Sequence, residues 1–179
     1  MSKAILRILP LGFFIILSFV LWRGLSLDPH KIPSPLIGKA APALNLPDVF
    51  SPKDRIRTTQ LRGKLYLLNV WASGCDACEQ EHALLTEIAK TGIPIYGWAY
   101  KDSRPQIKAW LKIRGNPYQK VFLDEKGATA MRWGVYGTPE TFLVDAHGII
   151  VYKQIGPMTR MAFRNEFLPR IAKAKEATL

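Results

Sequence analysis

Apolar positions in this chain fall into one long block and a series of short ones. Residues 4–22 read AILRILPLGFFIILSFVLW and form the only long apolar run. Its uninterrupted part, residues 8–22, makes roughly 22 Å of helix, short of a hydrocarbon core of about 30 Å. Counting back to Ala4, with Arg7 reaching toward the headgroups, gives an adequate length. The pattern predicts an N-terminal membrane anchor helix over residues 1–23, with the bilayer met by residues 4–22. A cleaved signal peptide needs a small-x-small site, and Arg23-Gly24-Leu25-Ser26-Leu27 supplies none, so the anchor is expected to stay attached. Lys3, Arg7 and the terminal amine favour a cytoplasmic start and an outward-facing main domain, although Arg23 and Lys31 pull the other way. Residues 24–36 include Pro29, Pro33 and Pro35, which disfavour helix and strand, and read as a tether.

From residue 37 to residue 179 the short blocks describe one globular domain. Leu65 to Trp71 (LYLLNVW) is near-continuously apolar over a strand's length, as in a central strand covered on both faces. A helical pattern over Asp76–Lys90 closes at Gly92, and Ile93–Ala99 follows as a second buried strand. A helix over Ser103–Arg114 places Ile107, Trp110 and Leu111 on one face and stops at Gly115-Asn116-Pro117. Then come a short strand at Val121–Leu123, a weaker helix near Ala128–Trp133 and the turn Gly137-Thr138-Pro139. Two β-rich runs, Thr141–Val144 and Ile149–Lys153, are joined by a hairpin through Gly148, and a helix closes the chain. This order predicts an α/β fold with a mixed central sheet and helices on both faces. Its first strands are parallel through right-handed crossovers, and its last two are antiparallel. No repeat or low-complexity tract interrupts it.

The formal charge of +11 changes this picture little. Lysines and arginines are scattered without a block of five or six, so the chain reads as a solvated basic surface and not as a nucleic-acid binder. Such a surface suits anionic lipid headgroups or an acidic partner.

The candidate chemistry lies in Cys75-Asp76-Ala77-Cys78, the only cysteines, set between a buried strand and the first turn of a helix. Unpaired amides and a partial positive charge at a helix start stabilise a thiolate on Cys75. Lowering a thiol pKa from about 8.5 to about 7 takes roughly 2 kcal/mol, within reach of this position and its neighbours. Cys75 is the expected attacking thiol and Cys78, inside the first turn, the resolving one. Two other readings compete. A structural disulfide here would close a very small loop and restrain little entropy. A copper or zinc site would have Cys75, Cys78 and His82 but no fourth ligand in sight. On a helical wheel Glu81 falls among Ala77, Leu84, Leu85 and Ile88, so it is expected to face the core with a raised pKa, ready to exchange a proton with Cys78. In the alternative, it reaches solvent at the helix edge. His82, at the border of that face, is read as packed or half-exposed. For Pro139, composition alone favours an ordinary trans turn.

These residues together resemble the DsbE/CcmG family, the periplasmic thioredoxin-like thiol:disulfide interchange proteins of cytochrome c maturation. The resemblance runs through Gly38-Lys39-Ala40-Ala41-Pro42, Leu61-Arg62-Gly63-Lys64, Asn69-Val70-Trp71-Ala72, Glu81-His82, Tyr100-Lys101-Asp102 and Gly115-Asn116-Pro117-Tyr118. Its most specific stretch is Gly134 to Asp145, GVYGTPETFLVD. It implies a thioredoxin fold, a redox pair at Cys75 and Cys78, and a cis-proline at Pro139 that faces them, preceded by Thr138. It also implies that Glu81 and Glu140 are acidic residues tuning the site, and that no haem, metal or other cofactor is held. The implied activity is disulfide reduction in apocytochrome c, or in the chaperone that handles its thiols, before haem attachment. Electrons would come from a membrane thiol-transfer protein, and the site would be the periplasmic side of the inner membrane. A general extracytoplasmic disulfide reductase or oxidase is the nearest rival. One departure stands out: the family usually has Trp before and Pro after the first cysteine, where this chain has Gly74 and Asp76. The missing Trp should open the rim around Cys75. The Asp76 charge should oppose a thiolate there and favour the disulfide form.

Overall fold

The computed structural model describes residues 3–25 and 34–176, the side chains of the first stretch from residue 10 to residue 24. Two compact units result, Met1–Ile32 and Pro33–Leu179. The first is a helix, α1 (Lys3–Leu25), with Pro10 inside it. Among its described side chains, the large apolar ones are exposed, including Phe13, Phe14, Ile16 and Trp22. Among the described residues no helix is long and apolar enough to cross a membrane. The anchor read from the sequence also needs the side chains of residues 4–9, which lie outside the described set. Most of the predicted tether, residues 26–33, lies outside it too. Its last residues are part of the globular unit: Ser34 is buried and accepts from Ile37 N (3.1 Å), and Leu36 packs against the core cluster that includes Leu68 and Phe142.

The second unit is built on five strands: β3 (Tyr66–Trp71), β4 (Ile95–Tyr100), β5 (Lys120–Asp124), β6 (Glu140–Val144) and β7 (Ile150–Ile155). Their order across the sheet is β5-β4-β3-β6-β7. The β3–β4 and β4–β5 pairs are parallel, and the β3–β6 and β6–β7 pairs antiparallel. This is the mixed sheet read from the sequence. Strand β3 lies at its centre with all six residues buried, which is why it reads as an unbroken apolar run.

One face of the sheet presents Leu67, Trp71, Ile95, Val121 and Leu143. It is covered by α2 (Asp76–Lys90), by α3 (Arg104–Arg114) through Ile107, Trp110 and Leu111, and by the C-terminal segment through Phe167 and Ile171. That segment comprises α5 (Arg160–Ala162), a π-helical turn (Phe163–Phe167) and α6 (Leu168–Glu176). The other face presents Tyr66, Leu68, Val70, Phe142 and Val144. It packs on Ala130 of α4 (Ala128–Arg132), on Trp133, and on Leu46 and Ile56. Leu46 and Ile56 belong to a small antiparallel pair, β1 (Asn45–Pro47) and β2 (Arg55–Arg57). Three-residue strands leave too short an alternation to be read from sequence, and this pair was not anticipated.

Helix α2 starts as its pattern predicts. Cys75 is its N-cap in extended geometry (φ −108°, ψ 107°), and Cys75 Sγ accepts from Cys78 N (3.1 Å). Burying Leu85 and Ile88 against β3 and β4 stabilises this docking by about 1.5–3 kcal/mol per side chain. In the β6–β7 hairpin Gly148 adopts φ +85°, a conformation that L side chains rarely take.

Candidate active site

The sheet and α2 meet where β3 ends. From Trp71 the chain turns through Ala72, Ser73 and Gly74 into Cys75, whose amide donates to Ala72 O (3.3 Å). Asp102, just after β4, holds this turn in place: Oδ2 accepts from Ser73 N (2.6 Å) and Oδ1 from Ser73 Oγ (3.1 Å) and Ser103 N (2.6 Å). Nothing lies within 4 Å of where a Gly74 side chain would begin, so the rim beside Cys75 is open. Asp76 is exposed.

Cys75 and Cys78 are joined in a disulfide, S–S 2.10 Å. The two sulfurs differ in access. Cys75 is half-buried at the helix start, whereas Cys78 is 3% exposed.

One helical turn beyond Cys78, Glu81 is 1% exposed and points at the sheet. Its Oε1 accepts from Asn69 Nδ2 (2.7 Å) and its Oε2 from Met158 N (2.6 Å). Asn69, in the middle of β3, also donates to Thr141 Oγ1 (3.0 Å) and accepts from Tyr118 OH (2.9 Å). Burial pushes the Glu81 carboxyl up to about 7, although the Met158 and Asn69 hydrogen bonds act in the opposite direction. Burial likewise pushes the Tyr118 hydroxyl well above its ordinary value, helped by the Glu81 charge. The Tyr118 ring stacks on Trp71 with centroids 5.5 Å apart. Gly97 makes room for it: a Cβ there would lie 2.9 Å from the Tyr118 ring and 3.0 Å from Trp71 Nε1.

His82 is buried against Trp110, ring centroids 4.5 Å apart, and its Nε2 lies 3.1 Å from Gly115 O. Desolvation holds its pKa below the ordinary value. The ring is therefore turned toward the Gly115 carbonyl, and among the described residues no group of three His, Cys, Asp or Glu side chains could hold a metal ion.

The Thr138–Pro139 peptide bond is cis. Val70 pairs with Glu140, and continuing that antiparallel register by one residue brings Pro139 beside Trp71, where the chain turns toward Cys75. The Pro139 carbonyl accepts from Gly156 N (2.9 Å). Glu140 belongs elsewhere. Its side chain lies with Val70 and Phe142 on the sheet face opposite Glu81, and it is 1% exposed. There its Oε1 accepts from Tyr136 N (2.9 Å), and its Oε2 pairs with Lys153 Nζ (2.9 Å). The structure thus gathers Cys75, Cys78 and Glu81 on one side, lays Thr138 and Pro139 along the rim, and places Glu140 behind the rim.

Asn69, Thr141, Tyr118, Asp102 and Lys153 were given no individual role from the sequence. By pattern alone Asn69 carries a signal, as a polar residue inside a doubly covered strand that has to find partners, whereas Asp102, Tyr118 and Thr141 are marked only by lying in the stretches that carry the resemblance.

The comparisons agree with this geometry. The redoxin family model matches residues 36–166. The thiol:disulfide interchange protein DsbE of Allochromatium vinosum is 44% identical over 167 residues, which cover 93% of this chain and 92% of that protein. The protein of the same name from Pseudomonas aeruginosa is 44% identical over 169 residues, 94% of this chain and 93% of that one. A solved thiol-disulfide oxidoreductase from Bacteroides fragilis superposes with a TM-score of 0.62 at 23% identity, over 78% of this chain and 99% of that one; at that identity it speaks for the fold alone. A Cys-x-x-Cys pair capping a helix on a thioredoxin-like sheet is the machinery of thiol:disulfide exchange. The chain belongs to the redoxin family, among the DsbE thiol:disulfide interchange proteins, and is a thiol:disulfide oxidoreductase.

Proposed function

We propose that this oxidoreductase works as a reductant, opening disulfides in apocytochrome c or in the chaperone that handles its thiols, so that the sulfurs are free for haem attachment. The observation that carries the reading is the asymmetry of the pair. Cys75 is half-buried at a helix start and Cys78 is covered, with the Glu81 carboxyl one turn behind it. In the reduced protein, the Cys75 thiolate attacks a substrate disulfide. One substrate sulfur leaves as a thiol and a mixed disulfide forms. Glu81 takes the proton from Cys78, and the Cys78 thiolate attacks Cys75 Sγ. The second substrate sulfur is released, and the Cys75–Cys78 disulfide carries the two oxidising equivalents. A membrane thiol-transfer protein returns the pair to the dithiol.

Thr138 and Pro139 present backbone to an extended substrate segment. Among the described residues no hydrogen bond engages the Thr138 backbone, which leaves it open to such a strand-like contact. Glu140 acts on this loop through Tyr136 N and not on the sulfurs directly.

We further propose that α1 anchors the domain in the inner membrane, with the domain on the periplasmic side. Its 23 residues span roughly 34 Å, and its described apolar side chains are exposed.

Two experiments test the reading. A Cys78→Ala variant is expected to accumulate a mixed disulfide through Cys75, and trapping only through Cys78 in Cys75→Ala would reverse the assignment. Host cells lacking the protein are expected to lose covalently attached haem, restored by the intact chain and not by Cys75→Ala. Normal haem attachment without it would leave a general disulfide reductase or oxidase, and a strongly oxidising reduction potential would favour the oxidase.

A further inference from the structure

Lys153 and Glu140 are a buried ion pair with no part in the exchange reaction. Each side chain is 1% exposed, and Lys153 Nζ lies 2.9 Å from Glu140 Oε2. Replacing such a pair by apolar residues of similar size is often neutral or stabilising, so stability alone does not account for it. What the pair holds is specific. Lys153 Nζ also donates to Gly134 O (2.6 Å), and Glu140 Oε1 accepts from Tyr136 N (2.9 Å). The ammonium sits 4.5 Å from the centre of the Tyr136 ring and 5.3 Å from that of Phe142. Two charged groups therefore grip the backbone at Gly134 and at Tyr136, on the approach to Thr138 and Pro139. They do so from the sheet face opposite the cysteines.

We propose that Lys153, with Glu140, is a positioning residue for substrate. The pair holds the loop 134–139 in the shape that receives an extended peptide, and so sets the preference for peptide disulfides over small ones, leaving the sulfur chemistry unchanged. This rests on the reading that Thr138 presents backbone to substrate. The physical basis is that a preformed edge loses less ordering free energy when a strand docks on it. A disulfide too small to reach the loop gains nothing from that order.

The test compares two disulfides on the full chain in detergent: bis(2-hydroxyethyl) disulfide, and a disulfide-closed peptide of about ten residues, enough to lie along the rim. Lys153→Met alone would strand the Glu140 charge, so the working variant is E140Q/K153M, which keeps an acceptor for Tyr136 N and removes the grip on Gly134 O. Its second-order rate on the peptide is expected to fall about tenfold, the worth of one lost hydrogen bond to a charged group, through KM and not kcat. Its rate on the small disulfide and its reduction potential should stay within about twofold of the parent. Equal loss on both disulfides in a variant that still unfolds cooperatively, or no loss on either, overturns the proposal. Should E140Q/K153M not fold, E140Q/K153Q against Glu140→Gln replaces it. The glutamine at 153 is one bond shorter than lysine and loosens the hold on Gly134 O, so its peptide rate should fall below that of Glu140→Gln, which keeps the lysine there, while the rates on the small disulfide stay within about twofold; a peptide rate equal to or above that of Glu140→Gln overturns the proposal. Failure of the underlying reading is seen separately. In the peptide mixed disulfide of Cys78→Ala, the Thr138 amide should gain hydrogen-exchange protection. Its absence would sink the docking reading whatever the rates.

Discussion

At the scale of single residues, the site is governed by where two carboxylates sit. Glu81 has lost its water and titrates near 7, up from 4.5, because ionisation has to occur between β3 and α2. A carboxyl raised in the folded state binds its proton more tightly there than in the unfolded chain. Its contribution to stability is full below about 4.5 and is lost as pH rises through about 7. The loss by pH 9 amounts to roughly 3 kcal/mol. Urea unfolding at pH 5 and pH 9 should show this decline in the parent and not in Glu81→Gln. An equal decline in both would mean that Glu81 ionises freely. The same proton serves the resolving step, so the rate of intramolecular resolution should rise with pH through about 7 in the parent, and that rise should vanish in Glu81→Gln. Asp76 is the opposite case, exposed and beside Cys75 at the helix start. Its charge opposes the Cys75 thiolate through solvent, so Asp76→Asn should lower the thiol pKa, by less at high salt. Thiolate absorbance followed against pH measures it, and an unchanged titration at low salt would remove Asp76 from the account.

At the scale of elements, the active end of the molecule is a joint between β3, β4 and the chain entering β5, closed by one aromatic stack. Tyr118 lies on Trp71 only because Gly97 of β4 has no side chain. Tyr118 in turn donates to Asn69, which donates to Glu81. Gly97→Ala should therefore destabilise the domain by about 1–3 kcal/mol through overpacking, and displace the Tyr118 hydroxyl from Asn69. Thermal unfolding reads the first effect. A changed Glu81 titration, followed by carboxyl NMR, reads the second. A Gly97→Ala protein with parental stability would mean that the stack moves aside without cost. The helices were legible in the sequence because their caps and apolar faces are local: Asp76–Lys90 was read to the residue, and Arg104–Arg114 within one. The β1–β2 pair was not, because three-residue strands gain their identity from partners and not from pattern.

At the scale of the whole molecule, the chain comprises an exposed apolar helix and a domain with its own core. A protein beginning at Pro33 should keep the unfolding midpoint and the rate on a soluble peptide disulfide of the full chain, and should lose association with vesicles. Vesicle flotation decides this, and a truncated protein that still floats would move the lipid contact from α1 to the basic surface of the domain.

The sequence by itself determined the order of the five strands of the central sheet and of the helices between them, and the placing of Cys75 and Cys78 at a helix start, because hydrophobic period, caps and a two-residue spacing act over a turn or less. It also placed Glu81 toward the core, since a helical wheel needs no partner. Only the tertiary structure decided what these residues face. Asn69 of β3 bonds Glu81 and is itself met by Thr141 from β6 and by Tyr118 from the chain entering β5, and Glu140 turns away from the cysteines because alternation along β6 puts it on the far face with Lys153. Contacts between residues dozens of positions apart depend on register across the sheet, and register belongs to the assembled sheet and not to any one strand.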